Sequence, residues 1–358
     1  GRSMYAVKAN PSPDLLQILW DNGVTHYDVA SIAEVRLVAR TLPEATLCFM
    51  HPVKAEEAIH EAYFTHGCRT FSLDSVEELD KIIRATARGD APATDLTLCV
   101  RLRVSSEHAK LSLASKFGVA PGESRELLFR ARQAADALGI CFHVGSQAMT
   151  PAAYAEAMER VRQAIVEAGV TVDVVDVGGG FPSTYPGMEP PPLELYFETI
   201  HRAFESLPVS YSSELWCEPG RALCAEYSSI IVRVEKRRGD ELFINDGAYG
   251  ALFDAAHIGW RFPVVLLREP DSMARDMAFS FYGPTCDDLD HMAGPFMLPA
   301  DVRAGDYLEI GMLGAYGSAM RTAFNGFGSD ETVIVGDEPM ASLYVEAERI
   351  VASNVVKL

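Results

Sequence analysis

Short apolar runs alternate with amphipathic stretches of helical period through about the first 220 residues, with brief loops between them. Eight runs have strand character: residues 4–7, 25–28, 46–50, 69–73, 96–104, 140–144, 172–177 and 214–217. Strands that alternate with helices build a parallel sheet, and eight such units favour closure into a (β/α)8 barrel of the TIM type. The helices between them carry their own punctuation. Ser12-Pro13-Asp14 supplies a cap, a proline for the first helical position and an early acid, and Gly23 closes that helix. Ser31 with Glu34, and Ser75 with Glu78, have capping-box spacing, so capping is the first explanation for both glutamates.

Beyond Arg221 helical periodicity nearly disappears. Residues 229–234, 241–245, 279–282, 307–310 and 343–345 read as strands. The expected organisation is therefore a barrel over 1–225 and a C-terminal, mostly β domain over 226–358, the whole of class α/β. Gly187-Met188-Glu189-Pro190-Pro191-Pro192 is a stiff loop within the first of these. The chain runs straight from Gly1-Arg2-Ser3-Met4 into a strand pattern, so an N-terminal segment is expected to be missing.

Charge narrows the function classes. The chain has 31 Lys and Arg against 50 Asp and Glu, a formal charge of −19, which disfavours nucleic-acid binding and suits cationic ligands. The seven cysteines, an odd number, sit mostly in apolar runs and show neither a disulfide framework nor zinc spacing, so no metal is expected. No apolar stretch reaches the roughly 18 residues of a membrane span, and no signal peptide is visible. The expected setting is cytoplasmic, with no membrane partner.

In a barrel of this kind chemistry gathers where strands end. The residues there are Lys8, Asp28, His51, Asp74, Arg103, His143, Gly178-Gly179-Gly180 and Glu218. Any one of them reads as an ordinary loop residue. Together they offer an amine that partial desolvation would make nucleophilic, a glycine turn able to admit a phosphate, and a carboxylate aimed at the axis. Arg221 adds a guanidinium suited to phosphate. A lysine, a phosphate cradle and an acid for a ring nitrogen describe a site for pyridoxal 5′-phosphate.

The residues also carry a resemblance. Tyr5-Ala6-Val7-Lys8-Ala9-Asn10, His143-Val144-Gly145-Ser146, Asp176-Val177-Gly178-Gly179-Gly180-Phe181-Pro182, Glu218-Pro219-Gly220-Arg221, Gly283-Pro284-Thr285-Cys286-Asp287-Asp288-Leu289-Asp290 and Gly314-Ala315-Tyr316 resemble the ornithine/lysine decarboxylase family. That family belongs to the fold-type III, alanine-racemase-like pyridoxal enzymes. The resemblance implies that Lys8 bonds the cofactor, Glu218 pairs with its ring nitrogen and His143 meets the ring face. It makes Ser146, Gly179, Gly180, Gly220, Arg221 and Tyr316 phosphate contacts, with Asp28, Glu34, Arg103 and Lys116 in support.

A carboxylate at Glu218, where alanine racemases have arginine, favours decarboxylation over racemisation. Cys286 resembles the family's proton donor to carbon, and Asp287 the acid that receives the distal ammonium of ornithine. Asp254, in a shortened segment after Asn245-Asp246-Gly247-Ala248-Tyr249-Gly250, is the candidate second acid. Asp290 resembles the partner of Lys116 in an intersubunit ion pair. The resemblance implies a homodimer with shared active sites, the β domain of one copy giving Cys286 and Asp287 to the barrel of the other, that decarboxylates L-ornithine, and also L-lysine, to putrescine or cadaverine in polyamine biosynthesis. Alternatives are a diaminopimelate or arginine decarboxylase, a single-domain cofactor carrier, which the long C-terminal region disfavours, and a catalytically silent regulatory homologue. The last has no need of Lys8, Cys286 and Asp287.

Overall fold

The structure, a computed structural model, describes residues 1–328 and 331–336. Its first eight-stranded element is a closed parallel barrel whose strands are Arg2–Ala6, His26–Val29, Thr46–Phe49, Thr70–Leu73, Thr97–Arg101, Ala137–Cys141, Val174–Asp176 and Glu214–Cys217. The first strand closes the ring: Met4 pairs with His26 of the second, and Arg2 with Trp216 of the eighth. The barrel expected from the alternating pattern is therefore present. Met4, Cys48, Met50, Cys99, Cys141, Val174 and Trp216 pack together inside it, which accounts for three of the buried thiols as small core hydrophobes.

Seven helices of nine residues or more join the strands, and their starts follow local chemistry. Pro13 occupies the first turn of helix Pro13–Asp21. The Ser31 and Ser75 hydroxyls accept the N–H groups of Glu34 and Glu78, as the capping spacing predicts, each worth about 1 kcal/mol. The carboxylates do not complete the boxes. Glu34 reaches the N–H of Ala30, and Glu78 turns to Lys54, because a buried amine there needs an anion more than the cap does.

Strand ends differ from the sequence reading, most in the fifth and sixth strands. The sixth strand is Ala137–Cys141, not 140–144, and the fifth stops at Arg101, not at residue 104. Helix Ser124–Ala134 ends early, the N–H groups of Asp136 and Ala137 both bond Leu96 O, and Gly139 fits beside Cys99, where a Cβ would lie 2.6 Å from its sulfur.

The second sheet has six strands in the order Val264–Leu267, Tyr307–Ile310, Ile230–Arg238, Glu241–Ile244, Asp276–Tyr282 and His291–Pro299. The first and last of these carry no expectation from the sequence. Both are edge strands, and Pro295 at the centre of the last disguises it, since an edge strand can forgo one donor. The run expected at 343–345 lies outside the described residues. The described chain forms two compact units, one of Gly1–Ser183 with Pro190–Leu223, the other of Thr184–Glu189 with the residues from Cys224 onward. No described helix is long and apolar enough to cross a membrane.

Candidate active site

The barrel closes its first strand into a single tight turn, Val7–Ala9, which holds Lys8 at the mouth. The Lys8 amine donates to Asp28 Oδ2 at 2.8 Å; the lysine side chain is 40% exposed and that of Asp28 only 2%. The desolvation expected of Lys8 is thus partial: the amine is held by a buried acid yet open to an incoming carbonyl. Beside it Glu218 follows the eighth strand, 4% exposed, with its N–H on Gly178 O at 2.8 Å. Burial and the neighbouring carboxylates of Asp176 and Asp28 push the Glu218 carboxyl well above its usual range.

The glycine turn is fixed from all sides. Gly178 and Gly180 have φ of +67° and +98°, open to glycine at little cost, and a Cβ on Gly178 would lie 2.0 Å from Phe142 O. The carbonyls of Gly179 and Gly180 accept Tyr154 Oη at 3.0 Å and Ala148 N at 2.9 Å. A Cβ on Gly179 would stand 2.7 Å from Glu218 O and 3.1 Å from His143 Nε2. The turn therefore brings His143, Gly179 and Glu218 into one place.

His143 Nδ1 accepts the N–H of Gly145 at 3.0 Å, which leaves the proton of a neutral ring on Nε2. Burial, with the charges of Arg101 and Lys8 nearby, holds the imidazole well below its usual range, so it is neutral at pH 7. Ser146 opens a short strand, Ser146–Ala148, paired with Ala109–Leu111. Gly220 passes close to the first strand, where a Cβ would lie 3.2 Å from Ala6 Cβ, and Arg221 is 5% exposed.

Arg103 is exposed, two residues past its strand. Arg101 ends that strand with the parity of Cys99, hence inward, and its charge reaches Asp176 and His143. A strand that ends at Arg101 rather than at residue 104 makes Arg101 the inward-facing arginine at its end. His51, at the third strand end, packs edge-on against Phe117 at 5.0 Å, and Asp74 accepts the N–H of Gly118 at 2.8 Å.

The second unit carries its own cluster. Cys286 is exposed, with its N–H on Asn325 Oδ1 at 3.3 Å. Asp287 accepts the Tyr249 hydroxyl on Oδ2 and the Leu289 N–H on Oδ1 at 3.0 Å. Those bonds hold the carboxyl below its usual range. Asp254 lies in helix Phe253–His257, and His257 of that helix is near enough to favour the Asp287 anion. Tyr316 adopts φ +62°.

Asp290, read from the resemblance as a partner for Lys116, is 1% exposed and turned inward. Its oxygens accept the N–H groups of Ala248 and Thr285 and the Thr285 hydroxyl, so it ties together the loop that presents Cys286 and Asp287. Within the chain, Lys116 lies over the Phe117 ring at 4.9 Å.

The donor set of the barrel mouth suits pyridoxal phosphate: a reachable amine, a buried acid, a neutral imidazole and a turn without side chains. Comparison with known proteins agrees. A family model described as "Pyridoxal-dependent decarboxylase, pyridoxal binding domain" matches residues 1–225, and one described as "Pyridoxal-dependent decarboxylase, C-terminal sheet domain" matches 146–314. The lysine/ornithine decarboxylase of Selenomonas ruminantium is 31% identical over 94% of this chain and 84% of its own length. Mus musculus ornithine decarboxylase is 30% identical over 95% and 76%. The crystal structure of the Paramecium bursaria Chlorella virus arginine decarboxylase superposes with a TM-score of 0.80 at 29% identity, covering 91% of this chain and 87% of that one. With family models spanning both units and relatives aligned over more than nine-tenths of its length, this chain belongs to the pyridoxal-dependent decarboxylases, amino-acid decarboxylases whose cofactor is pyridoxal 5′-phosphate.

Proposed function

We propose that the chain decarboxylates L-ornithine, and L-lysine as a second substrate, releasing putrescine or cadaverine. The observation that carries this reading is the state of Asp287: the Tyr249 hydroxyl and Leu289 N–H keep it an anion at neutral pH. An anion that is held but half open to solvent suits a distal ammonium, which brings one positive charge and no second carboxylate. Asp254 is the second acid proposed for that ammonium. Arginine is the alternative, favoured by the likeness to a viral arginine decarboxylase. Parallel assays of CO2 release from ornithine, lysine, arginine and diaminopimelate should give the highest kcat/KM with ornithine or lysine. Preference for diaminopimelate would refute the reading of Asp287.

Bound pyridoxal phosphate supplies the sink for the electron pair left when CO2 departs. Lys8 would bond it, Glu218 would face its ring nitrogen, and His143 would meet the ring, neutral and so without a competing charge. Ser146, Gly179, Gly180, Gly220, Arg221 and Tyr316 would hold its phosphate. Asp28 orients the Lys8 amine through the 2.8 Å bond. Arg101 would take the supporting place that the resemblance gives to Arg103.

Cys286 would then protonate the carbon that lost CO2. A thiol carries a proton that it can give to carbon. Cys286→Ala should lower kcat by roughly 10²-fold with little change in KM, since the proton is needed only after CO2 is lost. Part of the product should appear as the corresponding aldehyde. Unchanged amine yield in a product assay would remove Cys286 from the chemistry. Because the resemblance makes the Cys286 and Asp287 loop a trans contribution, the proposed unit of function is a homodimer in which this loop serves the barrel of the second copy.

A further inference from the structure

Asp176 ends the seventh barrel strand and is fully buried. Its Oδ1 accepts the N–H of Gly178 at 2.9 Å, while Oδ2, equally buried, meets no N–H or O–H among the described residues. Gly178 also ties in the neighbouring acid, since its carbonyl accepts the N–H of Glu218 at 2.8 Å. The two buried carboxyl groups lie within hydrogen-bonding contact of each other. Two carboxylates so placed cannot both remain ionised, whereas one proton between them gives the orphaned oxygen its donor.

The other charged groups around the pair leave this arrangement intact. Asp28 has its own cation in Lys8, and Arg101 from the fifth strand acts on Asp176. Burial pushes the thiols of Cys99, Cys141 and Cys217 upward, so they add no charge.

We propose that Asp176 and Glu218 share one proton, so that a single negative charge faces the cofactor's ring nitrogen, and that Asp176 is the positioning residue that takes this proton when Glu218 accepts the ring N–H. The second clause rests on the assignment of Glu218 to that nitrogen. In the ligand-free protein the proton sits on Glu218, whose carboxyl is pushed well above its usual range, and points at Asp176, itself raised to about 6 by burial. When the ring docks, one O–H bond of Glu218 breaks and one of Asp176 forms. No proton enters or leaves the pair. Glu218 is then the anion toward the ring, and the Asp176 hydroxyl donates to it from behind.

Asp176→Asn tests this directly, because the amide oxygen can keep the Gly178 bond while the amide N–H donates to Glu218 without a titrating proton. Infrared spectra of ligand-free wild type at pH 7 should contain the band of a buried protonated carboxyl. That band should vanish in Glu218→Gln, where Asp176, raised only to about 6, ionises, and should shift in frequency in Asp176→Asn, where burial still holds the Glu218 carboxyl up but its partner is an amide. Thermal unfolding gives a second reading. A carboxyl whose pKa is raised in the folded state gives its full stability below the unfolded value near 4 and loses it as pH climbs through the folded value. The melting temperature of Asp176→Asn relative to wild type should therefore rise between pH 5 and pH 8. A wild type without the band, or a band that neither substitution changes, overturns the shared proton. If the band behaves as expected but Glu218→Gln binds pyridoxal phosphate with an unchanged absorption spectrum, the shared proton stands and the assignment of Glu218 to the ring nitrogen falls.

Discussion

Lys8→Ala should abolish decarboxylation, with kcat lower by at least roughly 10²-fold and no covalent attachment of the cofactor on borohydride treatment. The choice of lysine is sharper than it first looks, because the barrel holds a second candidate. Lys54 has a fully buried side chain and a pKa lowered to about 8 by that burial, so by desolvation alone it would be the better nucleophile. Its geometry rules against it. The Lys54 amine lies 3.0 Å from Glu78 Oε1, donates to Ser72 O and to His51 O, and no face is left for a carbonyl to approach. The Lys8 amine is paired with Asp28, and its side chain is 40% exposed. Reduced wild type should therefore carry its pyridoxyl adduct on the peptide containing Lys8, and an adduct on Lys54 would contradict the site. Lys8→Arg should not rescue activity, since a guanidinium does not give up its proton in a protein.

Much of this arrangement is legible in the sequence, for definable reasons. Strand and helix periods differ, so the alternation that builds the barrel is plain, and strand ends mark the mouth. Lys8, Asp28, His143, the glycine turn and Glu218 emerge from that rule and do meet in space. Boundaries are less legible. Residues 102–104 continue the apolar and basic character of the fifth strand, so nothing local marks Arg101 as its last member, and Arg103 stands out in its place.

The pairing of buried acids is hidden for a different reason. Asp176 reads as an ordinary strand residue until the fold sets the eighth strand beside the seventh, with Trp216 opposite Asp176 and Glu218 two residues further on. Long-range contacts likewise set the surroundings of Asp290. Only when residues 245–250 fold against 283–290 does its carboxylate acquire the donors of Ala248 and Thr285. Edge strands such as His291–Pro299 stay illegible because one of their two sides bonds no further strand among the described residues, which relaxes the demand for an unbroken β pattern.

The proposal that a complete active site takes the Cys286 and Asp287 loop from a second copy makes the largest single commitment, and subunit complementation tests it most directly. Alone, Lys8→Ala and Asp287→Ala should each be nearly inactive, the first lacking the amine and the second the anion that receives the distal ammonium. Mixed in equal amounts and allowed to exchange, half of the dimers become heterodimers by random assortment. Each heterodimer then has one site with both residues intact and one with neither, so about a quarter of the wild-type sites should return by closed twofold symmetry. Recovery near that quarter, measured as CO2 release from ornithine, is the result this account predicts. No recovery, with exchange verified by mass spectrometry and both variants folded, would mean that Asp287 serves its own chain and that the shared site is wrong.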